Sequence, residues 1–298
     1  MGVSGDIFAE ALGHASRLLS KASRQRMRPV RGMDPAELTA ALPARVGLYV
    51  HVPFCQQICT FCPYNKELFD GDLSRRFADA ARRELALLAP SLRQREVPSV
   101  YIGGGTPTLL PDLIEEVCAL AHEIGAGGEI GVEVLPTHAR PALLRRLRGL
   151  GVTHLSLGVQ SFDDAVLSFL GRAHDAREAR RAVDAALAAG FDCVDVDLVF
   201  DVAGFGEHGV VRDAELLFSL GAGQLSVYPM MRFAYTPVGQ RREHDEAAEK
   251  RALRAIERAG RRRGYTRTSV WTYNRDPASR YTSITREQCW RLFGDLYI

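Results

Sequence analysis

Six short runs of apolar and β-branched residues, spaced along the middle of the chain, constrain the fold more than any other feature. The runs are Leu48–Val52, Ser99–Ile102, Ile130–Val134, His154–Val159, Cys193–Phe200 and Gln224–Tyr228. Stretches with helical spacing lie between the runs, and Gly149, Gly190 and Gly221 stand where helices should end. Strands that alternate with helices predict a parallel sheet. We therefore expect an α/β fold in which six such units form a partial (β/α)6 TIM-like barrel.

The chain on either side of this region has a different pattern. We expect residues 1–45 to form an N-terminal helical extension and residues 46–240 to form the barrel. Residues 241–298 then form a small C-terminal α+β element, with a charged helix at Glu243–Arg262 and a strand at Thr266–Tyr273. Either this last element is naturally short or the chain is truncated there.

Charge and hydropathy exclude several classes of protein. The 38 basic and 36 acidic residues nearly cancel, so composition gives no argument for a nucleic-acid partner. The sequence has no run of about 18 apolar residues that would predict a membrane span, and the first residues lack the pattern of a signal peptide. Six cysteines in a chain of this length do not form a disulfide framework. We expect a cytoplasmic protein with neither a nucleic-acid nor a membrane partner.

Three cysteines, Cys55, Cys59 and Cys62, form a C-x3-C-x2-C pattern just after the first predicted strand. Three thiolates on one loop can bind three irons of a cubane, which leaves the fourth iron open to a ligand. A zinc site is one alternative, but it normally needs a second ligand pair, and His51 falls within the strand. Chance clustering of core cysteines is the other. We expect the remaining cysteines to be buried small apolar residues: Cys118, Cys193 and Cys289.

The segment Tyr49–Cys62, with the sequence YVHVPFCQQICTFC, resembles radical S-adenosylmethionine (SAM) enzymes of the oxygen-independent coproporphyrinogen III dehydrogenase type. The similarity extends from about Gly47 to Tyr228. The resemblance implies that a [4Fe–4S] cluster on the three cysteines cleaves SAM to a 5′-deoxyadenosyl radical. It also implies a small-molecule substrate and an electron donor such as flavodoxin or ferredoxin.

Motifs at the ends of the second and third predicted strands extend the resemblance. From the residues alone, Gly103–Thr108 could be an ordinary strand-to-helix turn, and Glu133 could belong to a structural salt bridge. In the family, the corresponding glycine stretch receives the amino group of the methionine moiety. The resemblance therefore assigns that role to Gly104, Gly105 and Thr106, and it assigns Glu133 to cofactor binding.

Further polar residues follow the fourth and fifth predicted strands. Gln160 and Arg172 could be solvated or helix-capping side chains, although Arg172 could also hold a carboxylate with two hydrogen bonds. The resemblance implies that Arg172 binds the methionine carboxylate, that Gln160 contacts a second SAM or the substrate, and that Asp197 lies in the second cofactor pocket. Asp195, on the same face of its strand, has no such match and could be structural. The resemblance places further cofactor contacts at Tyr49, Phe61 and Val199.

Departures from the dehydrogenase pattern indicate a particular branch of the family. The dehydrogenase commonly has a further cysteine two residues after the third ligand, whereas Tyr64 occupies that position here. Asp201–Phe205 replaces a Gly-Leu-Pro-Gly-Gln segment. Tyr228–Pro237 resembles the branch that contains class C radical methyltransferases and cyclopropanases of natural-product pathways.

The class C branch implies that two SAM molecules bind, with Gln160 and Asp197 at the reacting centre. The radical from the first removes hydrogen from the methyl group of the second, and the product is a methylated or cyclopropanated sp² carbon of a natural-product intermediate. Two alternatives stay open. One is oxidative decarboxylation of a porphyrinogen propionate, and the other is a haem chaperone that keeps the cluster without that turnover.

Overall fold

The computed structural model describes residues 39–40, 42–233, 235–238, 246–269 and 271–276. The chain divides into two units, residues 1–42 and 43–298, and the sheet lies in the second unit. The predicted N-terminal helical extension and Cys289 lie outside the described residues, apart from the last few positions of the extension. The predicted boundaries of the C-terminal element stay a prediction.

One eight-stranded sheet dominates the part of the chain that the structure describes. In chain order its strands are β1 (Leu48–Val52), β4 (Ser99–Gly104), β5 (Glu129–Val134), β6 (His154–Gln160), β7 (Cys193–Phe200), β8 (Gln224–Pro229), β9 (Thr266–Arg267) and β10 (Thr272–Asn274). Their spatial order is β1-β4-β5-β6-β7-β8-β10-β9, and the pairs from β1 to β8 are parallel. All six predicted strands are present, and the α/β class is confirmed.

Helices follow each of the six parallel strands. They are α1 (Gly71–Leu92), α2 (Pro111–Glu123), α3 (Pro141–Gly149), α4 (Asp164–Phe169), α5 (Ala176–Ala188), α6 (Glu207–Leu220) and α7 (Glu246–Arg262), with a 3₁₀ turn at Pro107–Leu109. Two short strands, β2 (Phe54–Cys55) and β3 (Glu67–Leu68), pair beside the main sheet. Aspartates cap α1, α4 and α5 by accepting backbone N–H bonds at their first turns.

The prediction of a single strand at Thr266–Tyr273 was wrong. The segment is a hairpin, in which β9 and β10 pair antiparallel and the Thr268 N–H donates to the Thr272 carbonyl at 3.0 Å. The chain reverses between the two short strands, so that β10 pairs antiparallel with β8 and β9 forms the edge of the sheet.

The two faces of the sheet differ sharply in polarity, because successive residues of a strand point to opposite faces. The helix-covered face is apolar, and its completely buried residues include Val52, Ile102, Val132, Leu157, Val196 and Val227. Each such side chain contributes roughly 1.5–3 kcal/mol of hydrophobic stabilisation. The pairing registers align polar residues on the other face, which we call the polar face: Glu133, Ser156, Asp195, Asp197 and Ser226. TIM barrels usually fill this side with branched apolar residues, so a polar face indicates an interior that receives a ligand.

The carboxyl ends of the parallel strands meet at one edge of the sheet. The cysteine loop follows β1, the glycine turn ends β4, and Gln160 ends β6. This edge is where enzymes with such barrels carry out their chemistry. No helix in the described part of the chain is long and apolar enough to cross a membrane.

Candidate active site

The three cysteines lie close together on the loop after β1, each partly buried. Burial raises the pKa of the Cys55 thiol, the neighbouring Thr106 hydroxyl lowers it, and the charges of Cys62 and Cys59 raise it again. Burial likewise raises the pKa of Cys62. Sulfurs that repel one another as thiolates favour a shared cationic centre. Among the described residues no group of three or more His, Cys, Asp or Glu side chains is arranged to hold a single metal ion.

The segment at the end of α4 holds the cysteine loop by three hydrogen bonds. The Thr60 N–H donates to the Leu170 carbonyl at 3.2 Å, and the Thr60 hydroxyl donates to the Phe169 carbonyl at 3.0 Å. The Gln57 amide donates to the Gly171 carbonyl at 3.0 Å. The loop is thus fixed to the end of α4 from two of its own positions.

The histidines His51 and His138 hold the loop from the other side, and sequence reasoning assigned no role to either. His51, on β1 as expected, accepts from the Tyr49 hydroxyl at 2.9 Å and donates from Nε2 to the Asn65 carbonyl at 2.9 Å. His138 bridges the Thr108 hydroxyl, at 2.6 Å, and Gln56 Oε1, at 3.3 Å. Burial, followed by the charge of Arg140, lowers the pKa of His138. Because His51 follows Tyr49 by two residues on a predicted strand, their contact on one face could have been predicted from the sequence. No sequence pattern indicates the contacts of His138.

The glycine turn is pressed against the cysteine loop. Gly104 has φ +121°, and a Cβ there would lie 2.5 Å from the Val52 carbonyl oxygen. A Cβ on Gly105 would lie 2.7 Å from Cys55 Sγ. Since glycine alone tolerates this geometry, the turn exposes its backbone directly beside a cysteine sulfur. Thr106, also predicted as a cofactor residue, is buried next to Cys55.

Glu133 ties this turn to the polar face. Its carboxylate accepts from the Gly104 N–H at 3.0 Å and from the Tyr101 hydroxyl at 3.0 Å. Burial raises the pKa of Glu133, and these two hydrogen bonds oppose that effect. The salt bridge considered from the sequence is not formed, since no described cation pairs with this carboxylate. Glu133 instead shapes the turn that is predicted to bind the cofactor.

Arg172 reaches the cysteines from the end of α4. Its Nη1 donates to Cys59 Sγ at 3.2 Å, and its Nη2 donates to the Gly158 carbonyl at 2.5 Å. Its Nε is buried and has no hydrogen-bond partner among the described residues. A buried, unsatisfied donor on a cation is suited to an anionic ligand.

Gln160 lies beside this arginine in a strained conformation. Its φ is +74°, which is unusual for a residue other than glycine, and the register between β6 and β7 shifts at the same point. A Cβ on Gly158 would lie 3.2 Å from Gln160 Nε2 and 3.5 Å from Arg172 Nη2. Strain of this kind clusters at functional sites, and the structure brings these two predicted residues together.

Asp197 and Asp195 occupy neighbouring positions of the polar face. Asp197 accepts from the Ser156 hydroxyl at 3.1 Å. Asp195 accepts from the Ser226 hydroxyl at 2.8 Å and from the Gln224 amide at 2.7 Å. Burial raises the pKa of Asp195 to about 6. Burial, followed by the charges of Asp195 and Glu133, raises the pKa of Asp197 well above its ordinary value.

The three remaining predicted contacts are placed differently. Phe61 and Val199 belong to a small apolar cluster at the same edge of the sheet, which we call the upper cluster; its buried members are Val166, Leu170, Val199, Val202, Met230 and Val238. Tyr49 is 50% exposed and stacks on Tyr101 with ring centroids 6.1 Å apart.

A cavity of about 730 Å³ lies at the opposite edge, near the amino ends of β5 to β8, and none of the predicted site residues lines it.

The arrangement fits a [4Fe–4S] cluster with bound SAM. Three thiol sulfurs, a side-chain-free turn beside one of them and an unsatisfied guanidinium N–H beside another converge at the carboxyl edge. The family model described as "Radical SAM superfamily" matches residues 49–206, more than half of the chain. The chain belongs to the radical SAM superfamily, whose cofactors are this cluster and SAM.

Particular relatives place it near two named groups. It is 32% identical over 228 residues to the heme chaperone HemW of Mycobacterium tuberculosis, across 72% of this chain and 57% of that protein. It is 32% identical over 219 residues to the oxygen-independent coproporphyrinogen III oxidase of Cereibacter sphaeroides, across 70% of this chain and 47% of that protein. The chain therefore spans about half the length of the curated relatives it matches.

A solved structure of a related enzyme has a similar fold. The coproporphyrinogen III oxidase HemN of Escherichia coli, described as a radical SAM enzyme, matches with a TM-score of 0.71 and 25% identity, across 90% of this chain and 66% of that chain. The predicted TIM-like partial barrel is confirmed. The class C branch is not supported by these relatives and stays a prediction, as do the roles of the individual site residues.

Proposed function

We propose that this chain binds SAM at a [4Fe–4S] cluster on Cys55, Cys59 and Cys62 and directs the resulting radical to a substrate in the barrel. One observation carries the proposal: the two elements assigned to the cofactor meet the cysteine loop. Gly105 lies against Cys55 Sγ, and Arg172 donates to Cys59 Sγ.

Each element has a defined task in this proposal. The exposed backbone of the glycine turn binds the amino group of SAM, and Arg172 Nε–H binds its carboxylate. The upper cluster, with Phe61 and Val199, keeps water away from the reacting atoms. Bound together, the cluster and SAM supply one-electron cleavage of the sulfonium to methionine and a 5′-deoxyadenosyl radical.

A porphyrinogen-type tetrapyrrole is the substrate class that we favour. The names of HemW and of the coproporphyrinogen oxidases support this class over methyl transfer. The polar face supports it in a second way, because Asp197 and Glu133 can accept hydrogen bonds from pyrrole N–H groups. Hydrogen abstraction from a propionate, loss of CO2 and transfer of one electron to an acceptor would then give a vinyl group. In a variant of this proposal the chain is a haem chaperone, which binds haem but does not carry out this reaction.

A specific observation favours class C chemistry as a second candidate. Glu133, Asp195 and Asp197 are three acids that interact on the polar face. Burial raises the pKa of each of these acids, and a second sulfonium cation beside them would stabilise their ionised forms. The strained Gln160 beside Arg172 offers a polar contact for it.

Anaerobic reconstitution followed by product analysis separates these candidates. The full chain is loaded with iron and sulfide and given SAM, a low-potential reductant, coproporphyrinogen III and a one-electron acceptor. 5′-Deoxyadenosine with decarboxylated porphyrinogen supports the first candidate, and S-adenosylhomocysteine with a methylated product supports the second. Stable haem binding with no 5′-deoxyadenosine supports the chaperone form. Protein that binds zinc in place of iron overturns the whole proposal.

Two cysteine variants make a matched pair for this experiment. Cys59→Ala should lose the cluster and 5′-deoxyadenosine formation. Cys118→Ala, in the buried interior of α2, should keep both because Cys118 is an apolar core residue. Equal iron content in the two variants would contradict the assignment of the ligands.

A further inference from the structure

The contact between Arg172 and Cys59 is a hydrogen bond from a permanent cation to a sulfur that is predicted to bind the cluster. The donor Nη1 lies 3.2 Å from Cys59 Sγ. Arginine remains protonated under all ordinary conditions. The contact is therefore charged at every pH at which the protein is folded, whatever ligand the rest of the guanidinium holds.

The fold fixes this contact independently of a ligand. Nη2 is held by the Gly158 carbonyl, and the Arg172 N–H donates to the Leu167 carbonyl at 2.9 Å. The residue just before Arg172, Gly171, accepts the Gln57 amide from the cysteine loop. Backbone and side chain of Arg172 are thus both anchored, and the segment that carries it is hydrogen-bonded to the cysteine loop.

The two predicted tasks of the guanidinium use different nitrogens. Nη1 is committed to the sulfur and Nη2 to a carbonyl, whereas Nε is the buried donor with no partner among the described residues. A carboxylate can be bound at Nε while Nη1 stays on Cys59. The sulfur contact is therefore separable from SAM binding.

Reduction adds one negative charge to an iron–sulfur cluster, and hydrogen bonds to the sulfurs raise its potential by stabilising that charge. We propose that Arg172 is a positioning residue which, through its N–H bond to Cys59 Sγ, raises the reduction potential of the cluster before SAM binds. The step is uptake of one electron from an external one-electron donor. No bond forms or breaks in it, and Arg172 is not itself oxidised.

Lys66 provides the matched comparison, because it brings a charge close to the cysteines without touching a sulfur. Its ammonium donates to the Cys62 carbonyl at 2.7 Å and to the Tyr64 carbonyl at 3.1 Å. Replacing either residue by methionine removes one positive charge near the cluster. Only Arg172→Met also removes an N–H···S hydrogen bond.

The test is a redox titration of the reconstituted full chain with titanium(III) citrate, without SAM, followed by EPR of the reduced cluster. Arg172→Met should make reduction about tenfold less favourable, a shift of about 59 mV to more negative potential for one electron. Lys66→Met should shift the midpoint by less than half as much. A midpoint for Arg172→Met equal to the wild type overturns the proposal, and so does an equal shift in Lys66→Met.

A measurement on the wild type keeps the proposal testable if Arg172→Met does not retain a cluster. Protein labelled with ¹⁵N-arginine should show a ¹⁵N hyperfine coupling to the reduced cluster in pulsed ENDOR, without SAM. Absence of that coupling overturns the proposal. Wild-type protein that assembles no cluster would overturn the proposed function as well, whereas a loaded wild type without the coupling overturns only this role of Arg172.

Discussion

Replacing Gly105 by alanine should dislodge the cysteine loop. The new Cβ would lie 2.6 Å from the Phe54 carbonyl oxygen and 2.7 Å from Cys55 Sγ. Favourable contacts of a carbon atom begin near 3.5 Å, so the loop would have to retreat by roughly 0.8 Å. Both neighbours belong to short strand β2, which cannot move as easily as the end of a flexible side chain. Overpacking of this kind costs about 1–3 kcal/mol of the free energy of unfolding.

The consequence for the site should be larger than the loss of stability. A retreat of Cys55 separates it from the other two sulfurs, so the variant should take up less iron than the wild type after anaerobic reconstitution. Iron content and urea unfolding are both measured. Gly149→Ala is the control, since no atom lies within 4 Å of its Cβ position at the end of α3, and alanine there should be neutral or stabilising by up to about 1 kcal/mol. Wild-type iron content and stability in Gly105→Ala would refute the steric reasoning.

Three further changes test other parts of the molecule. Asp195→Asn should be more stable than the wild type at pH 8, and the gap should shrink as the pH falls from about 6 to 4. The folded pKa of Asp195 is raised to about 6 from 3.8, so the wild type loses stability as pH rises through that window. Arg232→Met should cost about 2–3 kcal/mol, because it removes an ion pair with Asp201 whose side chains are only 17% and 11% exposed. Gln160→Gly should relieve the strain of φ +74° and stabilise the fold by about 1 kcal/mol while slowing SAM cleavage.

Urea unfolding measures all three stabilities, with 5′-deoxyadenosine formation as the second readout for Gln160→Gly. A constant difference between Asp195→Asn and the wild type at pH 8 and pH 4 would contradict the assigned titration. Arg180→Met removes an exposed pair with Asp184 and should cost less than about 1 kcal/mol. An equal loss of stability in Arg180→Met and Arg232→Met would contradict the idea that burial makes the Arg232–Asp201 pair more important. Unchanged SAM cleavage in Gln160→Gly would remove Gln160 from the site.

The strands and the edge that carries the site could be predicted because both follow from local patterns. Short runs of apolar and β-branched residues located the six strands, and parallel pairing then placed the cysteine loop, the glycine turn and Gln160 at one edge. Spacing singled out the three cysteines, and the family resemblance then assigned them to a cluster. These signals depend on neighbours in sequence, which a single chain displays.

The contacts that hold the site together could not be predicted, since they join distant parts of the chain. Arg172 and Cys59 are 113 residues apart, and His138 and Gln56 are 82 apart. Neither contact produces a periodic pattern in the sequence. The positive φ of Gln160 arises from a register shift between β6 and β7, which no residue type announces.

The opposite characters of the two faces of the sheet separate what keeps the protein folded from what it can act on. Hydrophobic residues under the helices stabilise the domain, whereas the polar face contributes hydrogen bonds and charge. If the polar face receives the substrate as proposed, substitutions there can alter which molecules fit without unfolding the protein. New specificities can arise from the same strands by exchanging every second residue.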